Sequence, residues 1–316
     1  MGPLPEAVGR DGVRIEHIPV LVREVVTSLQ PKPEGVYLDC TVGGGGHAAA
    51  ILEAAGPPSR LVGIDRDPEA ITVAGDRLAC FADRVRLIRG DYRDLRFLVS
   101  DLHPEGFDGI LYDLGVSSLQ FDDPGRGFSF QFEGPLDMRI DRRSGDPTAR
   151  DLIHEVPEED LARIIRAYGE ERWARQIARN IVRHRGSLET TRDLAEIVAR
   201  AIPRRFWPRR IHPATRTFQA LRIAVNRELE GLEGALEEAI NFLKVGGRIC
   251  VIAFHSLEDR VTKHLFRRLA APGAVPGVRI LTRRPVTPSP EETTRNPRAR
   301  SAKLRAAERR EAGDGQ

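Results

Sequence analysis

The chain has 316 residues, 41% hydrophobic and 30% charged, with a net charge of +3, the make-up of a soluble globular protein. No apolar run approaches the ~20 residues a membrane-crossing helix needs, and the opening MGPLPEAVGRDGVRIEH lacks the apolar centre of a secretory signal. Cys40, Cys80 and Cys250 are isolated and without metal-type spacing, which argues against a disulfide scaffold and for a reducing, cytoplasmic setting.

In chain order, residues 1–14 read as a flexible lead-in. His17 to Leu29 has Pro19 near a helix start and apolar residues at helical spacing. Strands are expected at Val36–Cys40, Arg60–Ile64, Val85–Ile88 and Phe107–Tyr112, with helices at His47–Ala55 and Pro68–Phe81 between them. Strands alternating with helices predict a parallel, doubly wound α/β sheet. The turn-rich DDPGRGFS, from Asp122 to Ser129, breaks the alternation. From about Asp146 to Arg210 strand patterns vanish. Leu161, Ile164, Ile165 and Tyr168 share one helix face, Trp173, Ile177 and Ile181 share another, and Thr191 is placed to cap a third helix that Pro203 ends. A long helix is expected over Thr215–Leu243, then a strand at Gly247–Phe254 and a terminal strand pair at Gly277–Val286 and Ser301–Ala306. The division drawn from this is a sheet domain over residues 15–136 and 215–310, a helical insert over 137–214, and flexible ends at 1–14 and 311–316.

The most informative stretch is VYLDCTVGGGGHAAAI, from Val36 to Ile51, followed by LVGIDRDP. Strand, glycine turn, helix, strand and acid form the layout of a site for a ribose-bearing cofactor. Glycines let backbone approach the ligand, a helix start offers free N–H groups to an anion, and Asp65 at the end of the second strand is placed to accept ribose hydroxyls. Gly43, Gly45 and Ala48 also fit a relaxed dinucleotide pattern, so a nicotinamide-dependent oxidoreductase competes. Asp39, just ahead of the glycines, leans by analogy toward S-adenosylmethionine.

FDGILYDLGVSSLQFDD runs from the fourth strand into Asp113 and a Gly/Ser-rich loop. Asp113 is therefore expected at the cofactor's reactive end. Cytosine's exocyclic nitrogen is a weak nucleophile because its lone pair is delocalised into the ring. Acceptors on its N–H groups, Asp113 and the Leu114 carbonyl, would favour the pyramidal transition state. The competing reading of Asp113 is a loop cap or Asx-turn. Tyr92, after the third strand, could cover an adenine face. His47 reads as a residue of the helix start near the cofactor carboxylate, and in HSLEDR Ser256 and Asp259 make a capping-box pattern.

Charge is uneven along the chain. Leu61–Asp141 carries nine Arg/Lys against sixteen Asp/Glu, whereas Ala201–Glu230 carries seven against two and Arg279–Gln316 ten against five. The basic stretches Arg204–Arg216 and Arg295–Arg305 suit phosphates of an RNA, or else a solvated face.

These motifs together resemble one family, the bacterial 16S rRNA (cytosine-N4) methyltransferases, RsmH/MraW. The matching segments are HIPVL at His17, DCTVGGGGH at Asp39, GIDRDP at Gly63, DLGVSSLQFDDPGRGFSF at Asp113 and GPLDMR at Gly134. TRTFQALRIAVNREL at Thr215, GGRICVIAFHSLEDR at Gly246 and NPRARSAKLRAAER at Asn296 complete them, in order, from about residue 15 to 310. The resemblance implies a class I methyltransferase sheet interrupted by a helical substrate-binding insert, with S-adenosyl-L-methionine as cofactor. By position it puts Gly45, Gly46 and His47 at the methionine end, Asp65 at the ribose, and Tyr92, Asp113 and Gln120 at further cofactor-site positions. Tyr92 stands where the family usually has another aromatic, and Leu119 precedes Gln120 where many members have proline. The implied substrate is a decoding-centre cytosine of 16S rRNA in the small ribosomal subunit, flipped or unstacked to expose N4. A homodimer through the insert is expected, with no membrane and no metal. A non-catalytic RNA-binding assembly factor is the other alternative.

Overall fold

The computed structural model describes residues 19–311, so the expectations for residues 1–18 and 312–316, His17 among them, lie outside the described residues. In chain order the elements are α1 (Val22–Leu29), β1 (Val36–Asp39), α2 (Gly46–Ala55), β2 (Arg60–Asp65), α3 (Pro68–Arg77), β3 (Val85–Arg89), α4 (Leu95–Val99) and β4 (Phe107–Asp113). Helices follow: α5 (Ser118–Asp122), α6 (Ala149–Glu155), α7 (Glu158–Gly169), α8 (Ala174–His184), α9 (Thr191–Ala201), α10 (Thr215–Asn226) and α11 (Leu232–Asn241). The chain closes with β5 (Leu243–Ala253), α12 (Ser256–Leu269), β6 (Val278–Ile280), α13 (Pro290–Arg295) and β7 (Lys303–Arg309).

The chain divides into two compact units, one made of residues up to Gly115 and from Leu229 onward, the other of Val116–Glu228. In the first, seven strands run in the order β3-β2-β1-β4-β5-β7-β6. β3, β2, β1, β4 and β5 pair in parallel, while β7 runs antiparallel between β5 and β6. β1 and β4 read as almost continuous apolar runs because helices cover both faces of the sheet. Successive side chains alternate between those faces. Leu38, Ile110 and Tyr112 pack with α11 and α12, whereas Tyr37 and Leu111 pack with α1 and α2.

The second unit has a core of its own. Leu161, Ile165, Ile177 and Ile181 are fully buried there, so both expected helix faces point inward. That core also takes Phe128, Leu136, Phe218 and Leu221, which is why the unit spans more chain than the 137–214 assigned from composition. Asn226 ties its ends, accepting from Ile140 N–H at 2.8 Å and donating to the Met138 carbonyl at 2.7 Å.

Three local expectations need correction. Thr215–Leu243 is two helices: Arg227 turns left-handed at φ 51° as the cap of α10, and Gly231 starts α11 at φ 73°. The run looked continuous because the apolar period is kept across the break. The cap of α9 is Thr190, which exchanges hydrogen bonds with Asp193, so the threonine one place earlier does the work expected of Thr191. In HSLEDR the box is His255 with Glu258, not Ser256 with Asp259. Asp259 instead binds Arg305 at 2.6 Å and Lys303 at 3.5 Å. These two cations of the Arg295–Arg305 stretch are thereby committed to the fold, while Arg295, Arg298 and Arg300 are exposed.

Candidate functional site

Strand register gathers the acids. Asp39 pairs with Gly63 of β2 and Leu111 of β4, so Asp65 and Asp113 each reach two residues further along the same edge. This edge, at the carboxyl ends of the strands where the chain order reverses between β1 and β4, is where open α/β sheets bind ligands. The Thr41 hydroxyl accepts the Asp113 N–H at 2.6 Å and locks the end of β4 to the turn after β1.

The three carboxylates differ in what they already hold. Asp65 accepts N–H of Gly43 at 2.8 Å on one oxygen and of Asp67 at 2.9 Å on the other. The first bond ties the glycine turn to β2, and each oxygen keeps a second lone pair for an incoming hydroxyl. Burial pushes Asp65 up to about 6. Asp39 accepts only Thr41 N–H, at 3.1 Å, and its other oxygen is buried with no hydrogen-bond partner. Burial, with the charges of Asp113 and Asp65 adding, pushes it up to about 8. Asp113 caps no backbone group, which removes the Asx-turn reading. One of its oxygens is buried and unpartnered, and the other lies 3.5 Å from His47 Nδ1. Burial first, and the charge of Glu258 second, raise it to about 7.

The glycine turn is built for both packing and ligand. Gly43 at φ 50° and Gly45 at φ 76° adopt the left-handed region. A Cβ on Gly45 would stand 3.3 Å from the Ala74 Cα of α3, and one on Gly46 would stand 2.9 Å from Pro19. The outer sides of these two glycines therefore let α3 and the segment at Pro19 close in. The ligand-facing resource is the α2 start, whose first-turn N–H groups no side chain caps. His47 follows at once and is buried. Burial lowers its ring to about 4, so it is neutral at pH 7. Its Nε2 lies 2.8 Å from the Val20 carbonyl, which assigns the proton to that nitrogen and leaves Nδ1 as a bare acceptor facing Asp113. Nδ1 is thus left as an acceptor beside the Asp113 carboxyl, 3.5 Å away.

Tyr92 is half-buried beyond β3 and meets Tyr112 edge-on, with ring centres 5.4 Å apart at 72°. The neighbouring Asp91 is already held by Arg93 and by Arg66 at 3.0 Å. Gln120 lies in the second unit, buried, where its side chain accepts the Ser117 N–H at 3.0 Å and closes the capping box of α5. So Gly45, Gly46, His47, Asp65 and Asp113 meet along one edge of one unit. Tyr92 stands after β3 of that unit, and Gln120 belongs to the other unit.

Sequence reading missed Glu258. It is 2% exposed, accepts N–H of Phe254 at 2.9 Å and of His255 at 3.3 Å, and lies 3.1 Å from His255 Nε2. The signal was available: a histidine can serve as N-cap through Nδ1, which moves the box partner from Asp259 to Glu258.

The sequence pattern of the MraW methylase family matches residues 14–310. The chain belongs to this family. Among curated relatives, "Ribosomal RNA small subunit methyltransferase H" of Trichlorobacter lovleyi is 54% identical over 93% of this chain and 98% of its own length. Its namesake in Pelobacter propionicus is 53% identical, again over 93% and 98%, and that of Symbiobacterium thermophilum 49% identical over 94% and 98%.

The family's fold is the class I, Rossmann-like methyltransferase sheet described above, and its methyl donor is S-adenosylmethionine. The strand-end edge fits that cofactor on its own chemistry. Three crowded acids with two unpartnered buried oxygens, Asp39 Oδ2 and Asp113 Oδ1, suit a molecule bearing a sulfonium and an ammonium group. The uncapped N–H groups of α2 suit its carboxylate.

Proposed function

We propose that this methyltransferase transfers a methyl group to N4 of a decoding-centre cytosine in 16S rRNA of the small ribosomal subunit, in the cytoplasm. The observation that carries the reading is Asp113: a carboxylate at the end of β4 that caps nothing and leaves one buried oxygen unpartnered beside the glycine turn. The cofactor, when bound, supplies a methyl group already activated on cationic sulfur.

The chain's residues then have to bind, orient and accept protons. Asp65 takes the ribose hydroxyls through its spare lone pairs, and Tyr92 offers a ring face to adenine. The α2 N–H groups of Gly46 and His47, with Gly45 shaping the turn, hold the methionine carboxylate. The Nδ1 of neutral His47 accepts from the ammonium. Gln120 completes the cofactor site, as family position assigns it. Asp113 accepts an N–H of the target amino group, which turns the nitrogen lone pair out of conjugation and toward the donor. Methylation leaves N4 cationic, and Asp113, at about 7, is matched to take the surplus proton near neutral pH. A paired cytosine hides N4, so the base is unstacked first.

Among the described residues no helix is long and apolar enough to cross a membrane. The expected pairing of two copies through the insert is checked by sedimentation of the free enzyme. The deciding experiment incubates the protein with unmodified small subunits and labelled donor, then identifies nucleosides by mass spectrometry. N4-methylcytidine at one site is the expected product. Label on another base, or reduction of a nicotinamide cofactor instead, overturns the reading.

A further inference from the structure

The second unit carries a surface that the methyl-transfer chemistry leaves unused. Trp173, at the start of α8, meets Phe206 with ring centres 5.3 Å apart. Phe206 is 38% exposed, and two guanidinium groups lie over its ring, Arg172 at 4.9 Å and Arg205 at 4.8 Å from the centre. Arg172 also stands 5.6 Å from the Trp173 ring. Beside this stack is a cavity of about 340 Å³ lined by Arg166, Arg172, Trp173, Arg175 and Gln176. No acidic side chain lines it.

These arginines have no carboxylate partners, unlike several others of the unit. Elsewhere in the unit Arg150 pairs with Glu189, Arg179 with Glu158, Arg192 with Glu133 and Arg200 with Glu196. Among the described residues, Arg166, Arg172, Arg175, Arg204 and Arg205 have no ion pair, although all are exposed. The two tryptophans differ in the same sense. Trp207 donates its indole N–H to the Ile202 carbonyl at 2.9 Å, whereas the Trp173 indole nitrogen is buried without a partner.

We propose that this arginine–aromatic surface binds an unpaired nucleotide of the RNA, at a position away from the methylated base. Guanidinium planes and aromatic rings stack on any base. Single-stranded RNA is held by aromatic platforms combined with a basic groove. The unpaired cations supply the phosphate contacts, and the cavity admits one base-sized plane. Phe206, the exposed ring, contributes stacking; Arg172 contributes stacking and charge together; Arg166 and Arg175 contribute charge. The inference rests on the RNA-substrate reading and adds where the RNA is gripped.

The test uses the full-length enzyme and a fluorescent ten-nucleotide single-stranded RNA of unrelated sequence, titrated by anisotropy at several salt concentrations. Phe206→Ala is expected to weaken binding about tenfold and leave the salt slope unchanged, because it removes a stacking face but no cation. Arg166→Gln is expected to lower the slope by about one, since one fewer phosphate is neutralised. Arg172→Gln should do both. S-adenosylmethionine affinity, read on the same variants by calorimetry, is expected to stay within twofold and reports that they are folded. Equal RNA affinity in wild type and all three variants overturns the inference, as does preference of the surface for an acidic peptide of matched charge. If small subunits are methylated normally by all three variants at limiting subunit concentration, the surface is no substrate grip and the methyltransferase reading stands. If oligonucleotide binding behaves as expected but no cytosine is methylated, the surface survives and that reading fails.

Discussion

The two units each hold unpaired charged groups, in different surroundings: acids at buried strand ends in one, exposed arginines over aromatic rings in the other. In the sheet unit two acids at strand ends, Asp39 and Asp113, each leave one buried oxygen unpartnered, and both carboxyls rise to about 7 or 8. In the helical unit they are arginines, exposed and laid over aromatic rings. A buried acid without a partner costs free energy until a cation or donor arrives, so it selects a small, well-fitted ligand. An exposed arginine costs almost nothing while it waits, so it suits a large, loosely specified polyanion. In this protein, ligand class follows from where the unpaired charge sits.

The largest expected effect comes from breaking the buried side of that contrast at Asp113. Asp113→Asn keeps the size and one acceptor but cannot take a proton. Turnover is expected to fall about 10²–10⁴-fold, the range for loss of a proton-transfer group, with cofactor affinity changed far less. Single-turnover methylation of small subunits with the cofactor saturating separates the two. Retained turnover would leave Asp113 as a binding residue only. Asp65→Ala comes next. Its two backbone bonds and the ribose contacts proposed for it vanish together, so cofactor affinity should drop by about 1–3 kcal/mol, the cost of stranding buried polar groups. Calorimetry reads this directly, and an unchanged Kd removes Asp65 from the ribose.

Much of this was legible beforehand for a physical reason. Strand ends, glycine turns and helix starts are local, and Asp65 and Asp113 each terminate an apolar run in the sequence itself. Gly45 and Gly46 were read as ligand-facing, yet their bare Cα positions also serve α3 and Pro19, contacts that only the folded chain brings together. Glu258 was missed because its burial depends on packing after β5 and on an unusual histidine cap. The break at Arg227 was missed because apolar periodicity carries no record of a left-handed residue. Nor could charge counting separate Arg305, sunk into a pair with Asp259, from Arg300, which is exposed. Both lie in one basic run, but Arg305 is on β7 facing Asp259, whereas Arg300 lies in the turn before that strand.

The smallest effect is also the most diagnostic of why the strand-end acids are there. Asp39 is 1% exposed, and its carboxyl sits at about 8 against an ordinary value near 4. Between those values the folded protein holds a proton that the unfolded chain has released. The proton-binding difference therefore makes stability fall as pH rises through that window, levelling off above about 8. Asp39→Asn imitates the protonated acid and can still accept the Thr41 N–H through its amide oxygen. The substitution should raise Tm by roughly 3–6 °C at pH 8.5, with the gain shrinking toward zero near pH 4. Thermal scans across pH 4–9 give the whole curve. Saturating wild type with S-adenosylmethionine should flatten the same curve, because a bound cation lowers the acid's pKa and releases the extra proton. A pH-independent gain in Tm would mean that the amide merely packs better. A gain confined to high pH ties the instability to a buried negative charge that the cofactor's positive groups are there to neutralise.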